Sequence, residues 1–155
     1  IARMKDLGIT PSFFSAHTYY WGDRHRDIFM GPQRAASMSP ARWAQDYGLV
    51  FSSHLDTPVV PMQPLQAVWS QVHRISSGGE VIGEEQRIDV MSALRAVTID
   101  AAWQVFQEDN RGSLEPGKLA DMIVLSGNPL DDPMAMRDLK VERTLVGGAT
   151  IYRRQ

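Results

Sequence analysis

The sequence predicts an α/β fold in which strands alternate with helices, closed by a small all-β segment. Three observations carry that prediction. Short apolar runs at 9–16 and 49–53 each stand ahead of a helical signal, the alternation expected of parallel strands joined by helices. From Pro64 to about Val105 apolar residues recur at three- and four-residue intervals, as in amphipathic helices. After Asn110 the texture changes to strand-like runs separated by Pro116–Gly117 and Gly147–Gly148, pairs suited to tight turns. The chain therefore divides into 1–110, strands with helices, and 111–155, a β segment.

Taken in order, "ARMKDLG" reads as the end of a helix, with Lys5 near its close and Gly8 as a left-handed cap. "ITPSFFSA" is a buried strand ending at His17, and "TYYWGDRHRD" is an aromatic, polar loop. Residues 28–39 read as loop with one short strand. Ser39 then supplies a capping hydroxyl, Pro40 opens a helix, and Gly48 closes it. "LVFSS" is the second strand, followed by the proline-stiffened loop "TPVVPMQP". Leu65, Val68, Trp69, Val72 and Ile75 make one apolar helix face. From about Glu85 a longer helix runs through Val90, Leu94, Val97 and Val105, with Thr98 and Asp100 able to break it by bonding to the backbone. "DMIVLS" is a strand, and "VERTLVGGATIYR" is a hairpin.

The composition excludes several function classes. Apolar residues make up 43% of the 155 and charged residues 22%, the balance of a soluble globular chain. A formal charge of −2 offers no electrostatic case for nucleic acid or an acidic membrane. No apolar run approaches the roughly 18 residues of a membrane span, and the N-terminus lacks a signal-peptide layout. The absence of cysteine excludes disulfides and thiolate metal sites and fits a cytoplasmic location.

Two strand ends hold the candidate chemistry. In a parallel sheet, sites gather at the C-terminal ends of strands. His17 ends one strand; His54 and Asp56 end the other, two residues apart and so facing the same way, with Leu55 opposed. Asp56 can act as a proton acceptor and donor beside a metal, or form an Asx-turn ahead of Thr57–Pro58. His17 can ligate a metal through a neutral imidazole, or be structural. Asp23, His25, Tyr19 and Trp21 lie on the following segment and can line a pocket or cover its rim. Elsewhere the sequence has no H-x-H, no H-E-x-x-H, no G-x-S-x-G and no phosphate-binding glycine loop.

"GSLEPGKLADMIVLSGNPL", with the closing "TLVGGATIY", resembles the final segment of the amidohydrolase superfamily, most closely the branch known as amidohydrolase family 3. "ALRAVTIDAAW" resembles its last helical region, and "SFFSAHTYYWGD" and "FSSHLDTPV" resemble strands six and eight of its barrel. The resemblance implies the C-terminal part of a (β/α)8 TIM-type barrel, about strands 6–8, over residues 1–110, and strands of a small β-sandwich over 111–155. It implies a metal-dependent hydrolase of carbon–nitrogen bonds, with deaminase or lactonase activity, or a non-catalytic structural fragment, as alternatives. By the same resemblance His17 and Asp56 are metal ligands and Asp56 is the general acid/base; His54, His25, Asp23, Tyr19 and Trp21 stand near substrate. The implied cofactor is a divalent metal, zinc, in the complete protein. The family's H-x-H, its bridging lysine or glutamate and its strand-five histidine have no counterpart here. The expectation is thus a C-terminal portion, inactive alone, whose partners are a small-molecule substrate, the remaining barrel portion and further copies of itself.

Overall fold

The computed structural model describes residues 1–155. A short helix α1 (Ala2–Asp6) leads through Gly8, at φ +65°, into strand β1 (Ser12–Phe13). Helix α2 (His17–Arg24) follows and widens into a π-helical turn at His25–Phe29; α3 (Pro32–Ala36) and α4 (Ala41–Asp46) come next. Strand β2 (Ser52–Ser53) precedes α5 (Pro64–His73), a 3-10 turn at Glu84–Gln86, α6 (Val90–Ala96) and α7 (Ile99–Gln104). The chain closes with β3 (Met122–Leu125), a 3-10 turn at Met136–Asp138, β4 (Val141–Val146) and β5 (Ala149–Arg153).

β1 and β2 form a parallel pair, with Ser12 opposite Ser52 and Phe13 opposite Ser53. No strand lies between them. In a closed parallel barrel each strand pairs with the next along the chain. The two segments are therefore neighbours, which corrects the expectation that one further strand separates them. The physical reason lies in the connection. "TYYWGDRHRD" is helical rather than loop, and 28–39 holds the end of the π-helical turn and α3 rather than a strand. Rings recur every four residues there, and no proline falls between Pro11 and Pro32. Gly22 is tolerated inside α2 because α2 packs closely at that point: a Cβ would stand 3.0 Å from Ile82 Cγ1.

α4 also begins differently from its reading. Ser39 does not cap it; Ser39 adopts φ +45° and donates its hydroxyl to Phe14 O at 3.3 Å. α5 ends at His73, two residues before Ile75, and Arg74 just after it is left-handed (φ +53°) and 1% exposed. Its guanidinium donates to the carbonyls of Ile82 (2.7 Å), Ser39 (3.2 Å), Ala36 (3.2 Å) and Met38 (2.8 Å). One buried cation thus gathers the chain between α3 and α4 onto the loop after α5. Burial pushes the guanidinium down to about 10, still charged at neutral pH.

The helices close on a core of Ala41, Ala44, Phe51, Val68, Trp69, Ile88, Ala93, Ala96 and Met136. The alanines of α6 let its backbone pack closely on α5, while the predicted apolar face of α5 buries Val68 and Trp69. Asp89 caps α6 by accepting from the Ser92 N–H at 2.9 Å. The expected break near Thr98 is present: α6 stops at Ala96, and the Thr98 hydroxyl donates to Leu94 O at 2.8 Å.

The closing segment forms an antiparallel sheet in the order β3–β4–β5. Its predicted turns are in place. Lys118 N donates to Glu115 O at 3.2 Å around Gly117 at φ +95°, and Gly147 and Gly148 take φ +56° and +81° between β4 and β5. The turn at Met136–Asp138 docks against α5. There Trp69 Nε1 donates to Met134 O at 2.9 Å, and His73 Nε2 to Pro133 O at 2.8 Å. His73 is half-buried, its ring packed against Trp69.

Candidate functional site

Because β1 and β2 are parallel, the residues that follow them leave from the same end of the pair. The last ladder bond runs from His54 N to Phe13 O at 3.0 Å. Beyond it the alternation read from the sequence holds: Leu55 is buried, while His54 and Asp56 are exposed. Asp56 then turns left-handed at φ +55°, a conformation that aspartate tolerates better than most residues. Its carbonyl accepts from Val59 N at 2.8 Å. Its carboxylate makes no hydrogen bond, so the turn is made by backbone rather than by an Asx side chain. A cleft of about 340 Å³ opens there, lined by His54, Asp56, Thr57, Met62 and Pro64 among others.

His54 Nδ1 is 3.0 Å from Ser12 Oγ, which is 2.8 Å from Ser52 Oγ; Ser52 in turn contacts Gln104 Oε1. Gln104 donates to Pro11 O at 3.0 Å, so a polar chain runs from α7 along the strand pair to His54. His17, the first residue of α2, packs its ring on Phe14 at 4.3 Å, on the edge of Trp21 at 5.0 Å and in a stack on His25 at 5.4 Å. Burial holds its imidazole below the ordinary 6.5. The neighbouring imidazoles of His25 and His54 push the same way, and the Asp56 carboxylate pushes against them. His17 is therefore a neutral imidazole at pH 7, within electrostatic reach of Asp56.

The structure brings together His17, His25, His54, Asp56 and Trp21, and leaves two predicted residues elsewhere. Tyr19 points to the opposite side of α2, edge-on to Trp69 at 5.9 Å and beneath the Arg137 guanidinium at 5.3 Å, so it belongs to the core and does not line the site. Asp23 accepts from Ser76 Oγ at 2.7 Å and Gly78 N at 3.1 Å, which commits both of its oxygens to holding the loop after α5 rather than a substrate. Phe14, Phe29 and Ser12 border the site and were missed by the sequence reading. The four-residue spacing of rings at 17, 21, 25 and 29 is the signal that could have found Phe29.

A divalent metal finds too few donors on this chain. No three of its His, Asp and Glu side chains are grouped as a metal site, whereas zinc takes at least three protein ligands. With β1 and β2 neighbours, His17 follows the strand beside the one that carries Asp56, rather than one strand removed from it.

A family model described as amidohydrolase family matches residues 1–152. An N-substituted formamide deformylase of Arthrobacter pascens is 30% identical over 153 residues, covering 98% of this chain and 28% of that protein. The crystal structure of an amidohydrolase from Thermotoga maritima MSB8 superposes with a TM-score of 0.54 at 28% identity, over 71% of this chain and 24% of that one. An uncharacterized metal-dependent hydrolase from Pyrococcus horikoshii OT3 shares the fold with a TM-score of 0.67 at 22% identity, over 83% of this chain and 26% of that one. The chain thus spans about a quarter of the length of these relatives.

Proposed function

The chain belongs to the amidohydrolase family, and from that premise we propose that the complete protein hydrolyses a carbon–nitrogen bond of a small amide-type substrate, with Asp56 as its acid/base. The observation that carries the proposal is a carboxylate free of hydrogen bonds, at the C-terminal end of a parallel strand pair, beside a neutral histidine. Asp56 accepts a proton from the attacking water and returns it to the departing nitrogen, the two transfers that amide hydrolysis needs. A turn that puts its backbone, not its side chain, to structural use leaves that carboxylate available for both steps. His17 and His54 flank it and present polar atoms to the bound substrate. The relatives described as metal-dependent support a divalent metal in the complete protein, where it would supply an activated water. His17 and Asp56 are the donors this chain would offer it, short of a full set.

Asp56→Asn in the complete protein keeps the shape and removes the proton carrier. The expected result is a fall in kcat of about 10²–10⁴-fold with the fold unchanged by circular dichroism. Near-normal turnover would overturn the assignment. A second reading, that the 155-residue chain alone is a non-catalytic module, is favoured by the absence of a grouped metal-ligand set. Exposed apolar residues such as Phe106 (86%) and Leu114 (76%) support association with the remainder of the barrel or with a second copy. No helix is long and apolar enough to cross a membrane; a cytoplasmic location is part of the proposal.

A further inference from the structure

Beside Asp56 stands a row of rings of which the acid/base chemistry uses only His17. Phe14 touches His54 at 5.3 Å and His17 at 4.3 Å between ring centres; His17 stacks on His25 at 5.4 Å, and His25 meets Phe29 at 5.9 Å. Trp21 braces the row from one side, 5.0 Å from His17 and 6.1 Å from Phe14. Its members on the helix, His17, Trp21, His25 and Phe29, recur every four residues. In a regular α-helix each four-residue step overshoots a full turn by about 40°, so such a row drifts steadily around the helix. The π-helical turn at His25–Phe29, closed by Met30 N donating to His25 O at 2.9 Å, winds less per residue. The same step there falls short of a turn, and the drift is reversed at the point where the last two rings are placed.

Two further features mark the row as more than packing. Both ring nitrogens of His25 are out of solvent with no hydrogen-bond partner, an uncommon expense in a folded chain. Phe29 is 61% exposed at the outer end of the row, where a core-forming ring would be covered. The row therefore starts at the side chains flanking Asp56 and finishes in the open.

We propose that Phe14, His17, Trp21, His25 and Phe29 form a specificity wall that takes a flat, conjugated ring of the substrate. This deepens the hydrolase reading and rests on it for the bond that is cleaved. Aromatic faces and edges favour another flat π-system over a puckered ring of equal size. His25 acts in the wall through its ring: it carries the stack from His17 to Phe29, and its nitrogens are not needed for that.

The test compares acetanilide with N-cyclohexylacetamide, two secondary amides of similar size that differ in the flatness of the ring. On the complete protein, dissociation constants are read from ligand-induced shifts of the histidine ring protons, and kcat/KM is measured separately. Acetanilide is expected to bind about fivefold more tightly, the size of one aromatic stacking contact. Phe29→Leu, at an exposed position, and His25→Leu should each bring the two constants within about twofold. His25→Phe should keep the preference, since it keeps the ring, and should not destabilise the fold, since it removes two unpartnered nitrogens. Equal binding of the two amides, binding of neither, or a preference that survives both leucine variants overturns the wall. Acetanilide held by the wall but never cleaved supports the wall and counts against the hydrolase reading. Cleavage of both amides with equal constants overturns the wall and leaves the hydrolase reading standing.

Discussion

Asp56 and Arg74 are two charged residues in the same backbone state, at φ +55° and +53°, each just past the end of an element. Their surroundings are opposite. Arg74 is 1% exposed, and its guanidinium is bonded to the carbonyls of Ile82, Ser39, Ala36 and Met38. Asp56 is exposed beside a cleft, and its carboxylate is bonded to nothing. The same uncommon backbone conformation thus serves two ends. In one it turns a long cation back into the protein, where satisfying the charge ties the chain between α3 and α4 to the loop after α5. In the other it turns a short anion out of the strand beside a cleft and leaves its oxygens without a hydrogen-bond partner. A charge that is fully satisfied stabilises; a charge left unsatisfied at a strand end is available for reaction.

Substitutions at and around the two positions should separate these uses. The largest stability effect is expected for Arg74→Met, which removes four bonds donated to the carbonyls of Ile82, Ser39, Ala36 and Met38. Unfolding in urea should show a loss of about 3–5 kcal/mol; a loss below about 1 kcal/mol would mean that water replaces the guanidinium. Gly83→Ala acts on the same junction. A Cβ there would stand 2.0 Å from Ala36 O in a backbone at φ +70°, and about 2–4 kcal/mol should be lost. Asp89→Ala removes the cap of α6 and should cost about 1 kcal/mol. Its bonds from the Ser92 hydroxyl and N–H hold the Asp89 carboxyl below the ordinary 3.8. That contribution is complete above 3.8 and disappears as pH falls through the lowered folded value. An acid titration of stability should therefore show a smaller decline below pH 3.8 in Asp89→Ala. The smallest stability effect is expected at Asp56→Gly. Glycine adopts φ +55° freely, so stability should hold or rise by up to about 1 kcal/mol while turnover in the complete protein is lost. A large destabilisation would place Asp56 among the structural charges with Arg74.

Much of this could be read along the chain. Leu55 against His54 and Asp56, the apolar face of α5, the break at Thr98 and the glycine turns at 117 and 147–148 are local patterns, and local patterns survive folding. The aromatic segment 17–29 carries its helical signal only in the four-residue recurrence of its rings. Its rings contact one another and the strand ends rather than forming one apolar stripe toward the core, so the usual periodic signal is diluted. Tyr19 and Trp21 are two residues apart in one helix and therefore face apart. One enters the core and one the site, a division invisible when both are only neighbours in sequence.

The sequence by itself determined the family, the two-part texture of the chain and the candidates His17 and Asp56, because motif, turn chemistry and periodicity are short-range properties. Only the tertiary structure decided that β1 and β2 are neighbours, that Asp23 is spent on holding a loop, and that Arg74 is a buried anchor. Each of these depends on which distant groups come within about 3 Å of one another, and a hydrogen bond made across tens of residues leaves no spacing in the sequence to read.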